Sequence, residues 1–264
     1  VKIDYHIHAD FSPDSSNTMQ DIADRAARLG YGGIAITEHF DFGHFDLAAF
    51  GLPAYLPYRR AWEQVRVAPG LEMLFGVETG EYHRHHAVAD PVLAMRPPDL
   101  LVGSIHMSPD GFNYSTPLKR PMREEDIRVY YQENLDLLEY GRFDVLGHLG
   151  IWKRYLPEVP DEHFVAPLIE KILHTVVRRH IVLEVNFSSL RKPLNDIMPV
   201  PAQLARFREL GGRLITIGSD AHAPEHFDDH YDRCLRILRS LGYTEVFRRN
   251  GRDWTPLSIC NINK

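Results

Sequence analysis

The chain has 264 residues, 44% hydrophobic and 25% charged, which suits a globular protein able to bury a sizeable core without disulfide staples. Its formal net charge of −6 argues against a broad electrostatic footprint for nucleic acid, although bound metal ions would add positive charge that this count omits. Cys234 and Cys260 are too few for a disulfide scaffold and do not form a zinc-type pair. There is no basic-then-apolar signal segment and no apolar run of the ~20 residues that span a bilayer, so the expectation is a cytoplasmic protein with no membrane partner.

In chain order, one unit recurs loosely: a short β-branched run, a polar loop, then a helix. Strands are predicted over Val1–His8, Gly33–His39, Met73–Glu78, Leu100–His106, Asp144–His148, Ile181–Phe187 and Arg213–Asp220. Most are apolar on both faces, as parallel strands buried on both sides are. Amphipathic helices are predicted over Met19–Leu29, Glu124–Tyr140, Phe164–Arg179, Pro201–Leu210 and Tyr231–Leu241. Thr18 is placed to cap the first of these, and Gly30, Gly141, Gly211 and Gly242 follow helix ends. The segments Phe40–Pro57 and Met107–Arg123 read as long loops that could wall a small-molecule pocket. The tail after Gly242 reads as a short hairpin or cap. Seven strand–helix units without a composition break predict one domain over residues 1–264, an α/β fold with a parallel sheet closed into a distorted (β/α)7, TIM-barrel-like barrel.

The strand ends carry the chemistry. His6 and His8 are one residue apart at the end of the first strand, so they share a face and can grip one ion. A ligating histidine is neutral and is oriented by a hydrogen bond from its other nitrogen, which nearby carboxylates can accept. Glu78 ends Phe75-Gly76-Val77-Glu78; a carboxylate after three apolar residues is costly to bury unless paired or ligated, and its two oxygens can bridge two metals. His39, His106 and His148 end three further strands, and Asp220-Ala221-His222 again spaces two ligand types by one residue. Metal-type residues at the C-terminal ends of many strands favour a barrel over an open sheet, whose site gathers at one switch point. The donor set is nitrogen and oxygen without sulfur, which points to Zn, Fe or Mn.

His6-x-His8, Asp14, Glu38-His39, Glu78, His106, His148 and Asp220-x-His222 resemble the metal motifs of the polymerase-and-histidinol-phosphatase (PHP) superfamily, over essentially the whole chain. Within it, the loop Ser108–Arg123, Gly147-His148-Leu149 with Lys153-Arg154-Tyr155, and Asn186 to Arg191 look most like the histidinol-phosphate phosphatases. The resemblance implies a seven-stranded barrel with three divalent metal ions. One would take His6, His8, Glu78 and Asp220; a second the bridging Glu78 with His106 and His148; a third Asp14, His39 and His222. Many relatives carry a histidine where Asp14 stands, and Asp10 and Asp41 are its rivals. Three divalent ions, three carboxylates and a bridging hydroxide would leave about +2, a match for a phosphate dianion.

The implied reaction is hydrolysis of L-histidinol phosphate, a step of histidine biosynthesis, by a metal-bridging hydroxide attacking phosphorus in line. Asp220 and His222 are placed in catalysis as well as in metal binding, with Asp220 a candidate acid for the leaving group. Arg154 and Arg191 lie at the expected barrel mouth, where an arginine fork suits phosphate; Lys153 and Lys192 are weaker candidates. Glu81, Asp41, Asp46 and Asp110 are candidates for the substrate's amine. Tyr82-His83-Arg84-His85-His86 reads as a polar loop. The alternatives are a PHP-type exonuclease or phosphodiesterase, a phosphatase for another small ester, an amidohydrolase, and a structural metal module. The partner expected is a small phosphate ester and not nucleic acid; a homo-oligomer is compatible with this reading.

Overall fold

The computed structural model of the chain describes residues 1–41 and 52–260. Seven strands form one parallel sheet in sequence order: β1 (Lys2–Ile7), β2 (Tyr31–His39), β3 (Glu72–Gly80), β4 (Leu100–Ser104), β5 (Val145–Leu146), β6 (Val182–Asn186) and β7 (Ile215–Gly218). In-order pairing of parallel strands requires a crossover after each one. The helices α1 (Met19–Arg28), α2 (Leu52–Trp62), α3 (Tyr82–Met95), α4 (Glu124–Tyr140), α5 (Ala166–Arg179), α6 (Pro201–Glu209) and α7 (Tyr231–Ser240) lie in those connections and after β7.

The ring closes where the last strand meets the first. Ile7 bridges Ala221 in parallel, the Asp220 amide donates to the His6 carbonyl at 2.8 Å, and the His8 amide donates to the Ala221 carbonyl at 3.0 Å. The result is a nearly closed seven-stranded barrel of the expected class. A single apolar cluster fills it and packs the helices outside, from Ile3 and Ile34 through Val102 and Leu183 to Ile217, Leu235 and Val246. The tail forms an antiparallel hairpin, β8 (Glu245–Asn250) and β9 (Asp253–Ser258). Its Arg249 pairs with Asp144 at 3.1 Å, and the Arg249 amide donates to the Tyr5 hydroxyl. These partners lie at the entry of β5 and within β1, so the hairpin covers the barrel end opposite the strand tips.

Capping follows the sequence. Thr18 Oγ1 accepts from the Asp21 amide at 3.1 Å at the start of α1. The α4 start is held by Asp126, whose carboxylate accepts from the Arg123 amide and from the guanidinium groups of Arg120 and Arg123.

Two loop expectations are corrected. The segment Tyr82–His86 opens α3 and is not a loop. Its buried positions Tyr82, Ala89, Val92 and Leu93 keep helical spacing, but an internal Pro91 and a run of His and Arg obscured it. Those polar residues face α4: His83 Nε2 and Arg84 Nε lie 3.2 and 3.0 Å from the Glu133 carboxylate. Likewise α2 starts at Leu52, inside the expected Phe40–Pro57 loop, with Pro57 within it. Its Tyr55 and Tyr58 pack on Phe75.

Candidate metal centre and phosphate cleft

Strand register sets the site. His39 and Glu78 are paired across β2 and β3, and His39 Nδ1 lies 3.1 Å from Glu78 Oε2. His106 and His148 each lie two residues beyond a strand end, and both turn Nε2 to Glu78 Oε1, at 3.1 and 2.7 Å. From β1, the Nε2 atoms of His6 and His8 stand 3.3 and 3.5 Å from Glu78 Oε2. Asp220, in a left-handed conformation with φ of 51° just past β7, brings Oδ1 to 3.5 Å from His8 Nε2 and 3.9 Å from His6 Nε2. Asp tolerates that conformation better than most residues. Glu78 is thus the hub between the first and last strands.

His8, His39 and His222 form a second cluster, with His222 Nε2 3.4 Å from His39 Nε2. Asp14 stands at its open side, 3.7 Å from His39 and 3.5 Å from His222, with its side chain 57% exposed. Its rival Asp10 is engaged elsewhere, accepting from the Met19 amide at the start of α1.

The residues fit metal ions. Buried nitrogens face one another at 3.1 Å (His6 and His8) and 3.3 Å (His106 and His148), and Glu78 Oε2 is buried with no hydrogen-bond partner. Such crowding of lone pairs is unfavourable unless positive charge lies among them. The field has that sign. Burial opposes charge on His6, yet Glu184 and Glu78 hold its imidazole well above the usual range. Burial also acts against His39, but Asp14 and Glu78 push it up to about 10. Burial would raise Glu78, but His6 and His106 keep its carboxyl well below the ordinary range. His8 and His222 shift down instead, by burial first and then by neighbouring imidazoles. At His6 and His39, a setting that draws protons onto imidazoles also favours a divalent cation in their place.

Three carboxylates fix which nitrogen faces inward. His6 Nδ1–H donates to Glu184 Oε1 at 2.7 Å. His106 Nδ1–H donates to Asp41 Oδ2 at 3.2 Å. His8 Nδ1–H donates to Ser12 Oγ at 3.0 Å, and that hydroxyl donates in turn to Glu38. Each leaves Nε2 with its lone pair turned to the centre.

Glu184 is absent from the residues expected from sequence. It is fully buried, accepts from His6 and also from the His148 amide at 2.5 Å, and so holds two of the histidines around Glu78. A side chain at Gly218 would collide with it, since a Cβ there would lie 2.0 Å from Glu184 Oε1.

A cleft of about 220 Å³ runs from Asp14, Asp220 and His222 to Arg154, Arg191 and Lys192. Arg154 Nη1 donates to Asp220 Oδ2 at 3.1 Å. Arg191 Nη2 donates to the Ser219 and Asp220 carbonyls at 2.6 and 3.1 Å. Arg154 Nε and Arg191 Nε and Nη1 are buried without hydrogen-bond partners. These unmet guanidinium donors beside a metal-type cluster suit an anion.

Other sequence candidates lie apart from the cleft. Lys153 is fully buried and paired with Glu162. Glu81 is buried and accepts from the His106 and Met107 amides at 2.6 and 2.7 Å, so it clamps a loop and does not face an amine. Asp41 is buried between the Gly80 amide and His106. Asp110 is exposed and takes the Ser108 hydroxyl. Asp46 lies outside the described residues. Among the described residues, no helix is long and apolar enough to cross a membrane.

Known proteins resemble the chain in sequence and in fold. The chain is 28% identical over 257 residues to a probable histidinol-phosphatase of Clostridium acetobutylicum, covering 92% of this chain and 95% of that one. It is 25% identical to the histidinol-phosphatase of Lactococcus lactis, covering 95% of each. A crystal structure of histidinol phosphate phosphatase from Lactococcus lactis, complexed with zinc, L-histidinol and phosphate, superposes with a TM-score of 0.79 at 23% identity, covering 96% of this chain and 98% of that one. A family model described as the PHP domain matches residues 4–188, which hold every strand-end ligand candidate up to His148, and the chain belongs to the PHP domain family.

Proposed function

We propose that this chain is a metal-dependent phosphomonoesterase that hydrolyses L-histidinol phosphate to L-histidinol and phosphate. The observation that carries this reading is the meeting of unmet arginine donors with the Glu78-centred histidine and carboxylate cluster at one cleft. The substrate follows from relatives named histidinol-phosphatase that match over nearly their whole length.

Three ions are proposed: one held by His6, His8, Glu78 and Asp220; one by Glu78, His106 and His148; one by His39 and His222 with Asp14 at its open side. Zinc, manganese or iron suits these donors. When bound, such ions supply Lewis-acid polarisation of a phosphoryl group and acidify water.

The protein's own groups do the rest. Arg191 and Arg154 present their guanidinium groups to phosphoryl oxygens at the cleft and orient the ester. Burial works against charge on Asp220, but His8, His222, His6 and Arg154 hold its carboxyl well below the ordinary range. An ionised Asp220 suits a metal ligand; so low a carboxyl is a weak base and is not a resting acid.

We propose that residues 1–264 act as one domain on a small substrate. A 220 Å³ cleft suits a small ester better than a polynucleotide strand. A cytoplasmic location is part of the same proposal. The test compares phosphate release from L-histidinol phosphate, an aryl phosphate and an oligonucleotide, with metal content measured on the same sample. Preference for L-histidinol phosphate by a metal-loaded enzyme is expected; preference for the oligonucleotide would reject the assignment.

A further inference from the structure

One buried charge has no place in the chemistry above. Lys153 is fully buried in a single 3₁₀ turn, Ile151–Tyr155, between β5 and α5. Its ammonium meets Glu162 Oε2 at 2.6 Å and lies 5.6 and 5.7 Å from the ring centres of Trp152 and Tyr131. Glu162 also accepts from the Tyr131 hydroxyl at 2.5 Å and from Gln203 Nε2 at 3.3 Å. The turn enters through Gly150, at φ of 94°, and the Gly150 amide donates to the Tyr130 hydroxyl at 2.7 Å. One short turn is therefore tied to α4, α6 and the segment before α5.

Burying an ion pair is costly, and replacing both partners with well-packed apolar side chains commonly serves stability as well or better. What a lysine adds is direction. A hydrogen-bonded ammonium fixes the turn in rotation as well as in depth, because its partner lies at one place only.

The next residue is Arg154. Its side chain leaves a different face of the turn and enters the phosphate cleft, where Nη1 meets Asp220 and Nη2 the Ser115 carbonyl. Adjacent side chains thus divide the work: one anchors in the protein interior, the other reaches the site.

We propose that the buried Lys153–Glu162 pair is a positioning device that sets the angle at which Arg154 presents its guanidinium to the phosphoryl group. This rests on the cleft being a phosphate site, as proposed above. Lys153 touches no metal-ligand candidate, so it acts through the turn that carries Arg154.

Two consequences separate this role from mere support. Losing the anchor should weaken phosphate binding without changing metal content. It should also have no further effect once Arg154 is gone.

The experiment uses the metal-loaded enzyme as wild type, Lys153→Met, Glu162→Gln, Arg154→Ala and the double variant Lys153→Met/Arg154→Ala. It measures product inhibition by inorganic phosphate, kcat and KM, metal content and thermal melting. Lys153→Met keeps volume but leaves Glu162 without its cation, so it should melt below wild type; assays are run below that melt, where metal content should be unchanged. Its inhibition constant for phosphate and its KM should rise about 10-fold, and Glu162→Gln should do the same. The double variant should match Arg154→Ala within about 2-fold. Unchanged phosphate inhibition in both single variants, or losses that multiply in the double variant, would overturn the proposal. A wild-type enzyme that neither binds nor releases phosphate would instead defeat the functional reading itself, and this proposal with it.

Discussion

The backbone amide of Asp220 donates to the carbonyl of His6 at 2.8 Å, so the hydrogen bond that closes the barrel also joins two of its metal-binding candidates. Closure depends on main chain, while ligation depends on the carboxylate. Asp220→Asn should therefore retain the fold, seen as an unchanged far-UV circular dichroism spectrum, yet lose bound metal. Turnover should drop by about 100-fold or more. Full metal content with near-normal turnover would remove Asp220 from the ligand set.

Glu184 orients His6 through Nδ1 and steadies the His148 amide with its second oxygen. An amide cannot accept at both atoms, so Glu184→Gln sets an N–H group against one of two donors. Metal affinity should weaken by about 10–100-fold, the usual cost of losing an outer-shell partner. Titration against a chromogenic chelator measures it. An unaltered affinity would show that His6 and His148 hold their positions without this carboxylate.

Removal of metal has both a kinetic and a thermal signature. Dialysis against a strong chelator should abolish phosphate release, and Zn²⁺ or Mn²⁺ should restore it. Metal at 100-fold above its dissociation constant should stabilise the fold by about 2.7 kcal/mol, read as a higher melting temperature. Activity that survives complete demetallation would contradict the proposed chemistry.

Asp126 gives a pH prediction away from the metal site. Hydrogen bonds from the Arg120 and Arg123 guanidinium groups hold its carboxyl well below the ordinary range. The unfolded chain therefore takes up this proton first as pH falls. The stabilising contribution is complete above the ordinary carboxylate pKa and is lost as pH drops through and below it. Urea midpoints of wild type and Asp126→Asn should differ most near neutral pH and converge towards pH 2. High salt should narrow the gap, since both arginines reach solvent. A gap that widens on acidification would refute this.

Much of the barrel was legible because parallel strands buried on both faces are continuous apolar runs, and because His39, Glu78, His106, His148 and Asp220 each fall at or just beyond such a run. Glu184 was not legible: it stands mid-strand between Leu183 and Val185, with no ligand spacing around it. Its only signal was the cost of burying a carboxylate in an apolar strand, the same reasoning that singled out Glu78. Lys153 was misplaced for a related reason. It adjoins a cleft arginine, and sequence does not reveal that the two residues lie on different faces of one 3₁₀ turn. Helix α3 was hidden by Pro91 and by polar residues whose partners lie on α4.

The ring of strands runs in chain order, and its seam lies between the first and the last. A ribosome making this protein exposes His6 and His8 early and withholds Asp220 and His222 until most of the chain has emerged. A nascent or truncated chain lacking the seventh strand therefore has only part of the proposed cation-holding set. Hydrolytic competence arrives late in synthesis, at the moment the ring can shut.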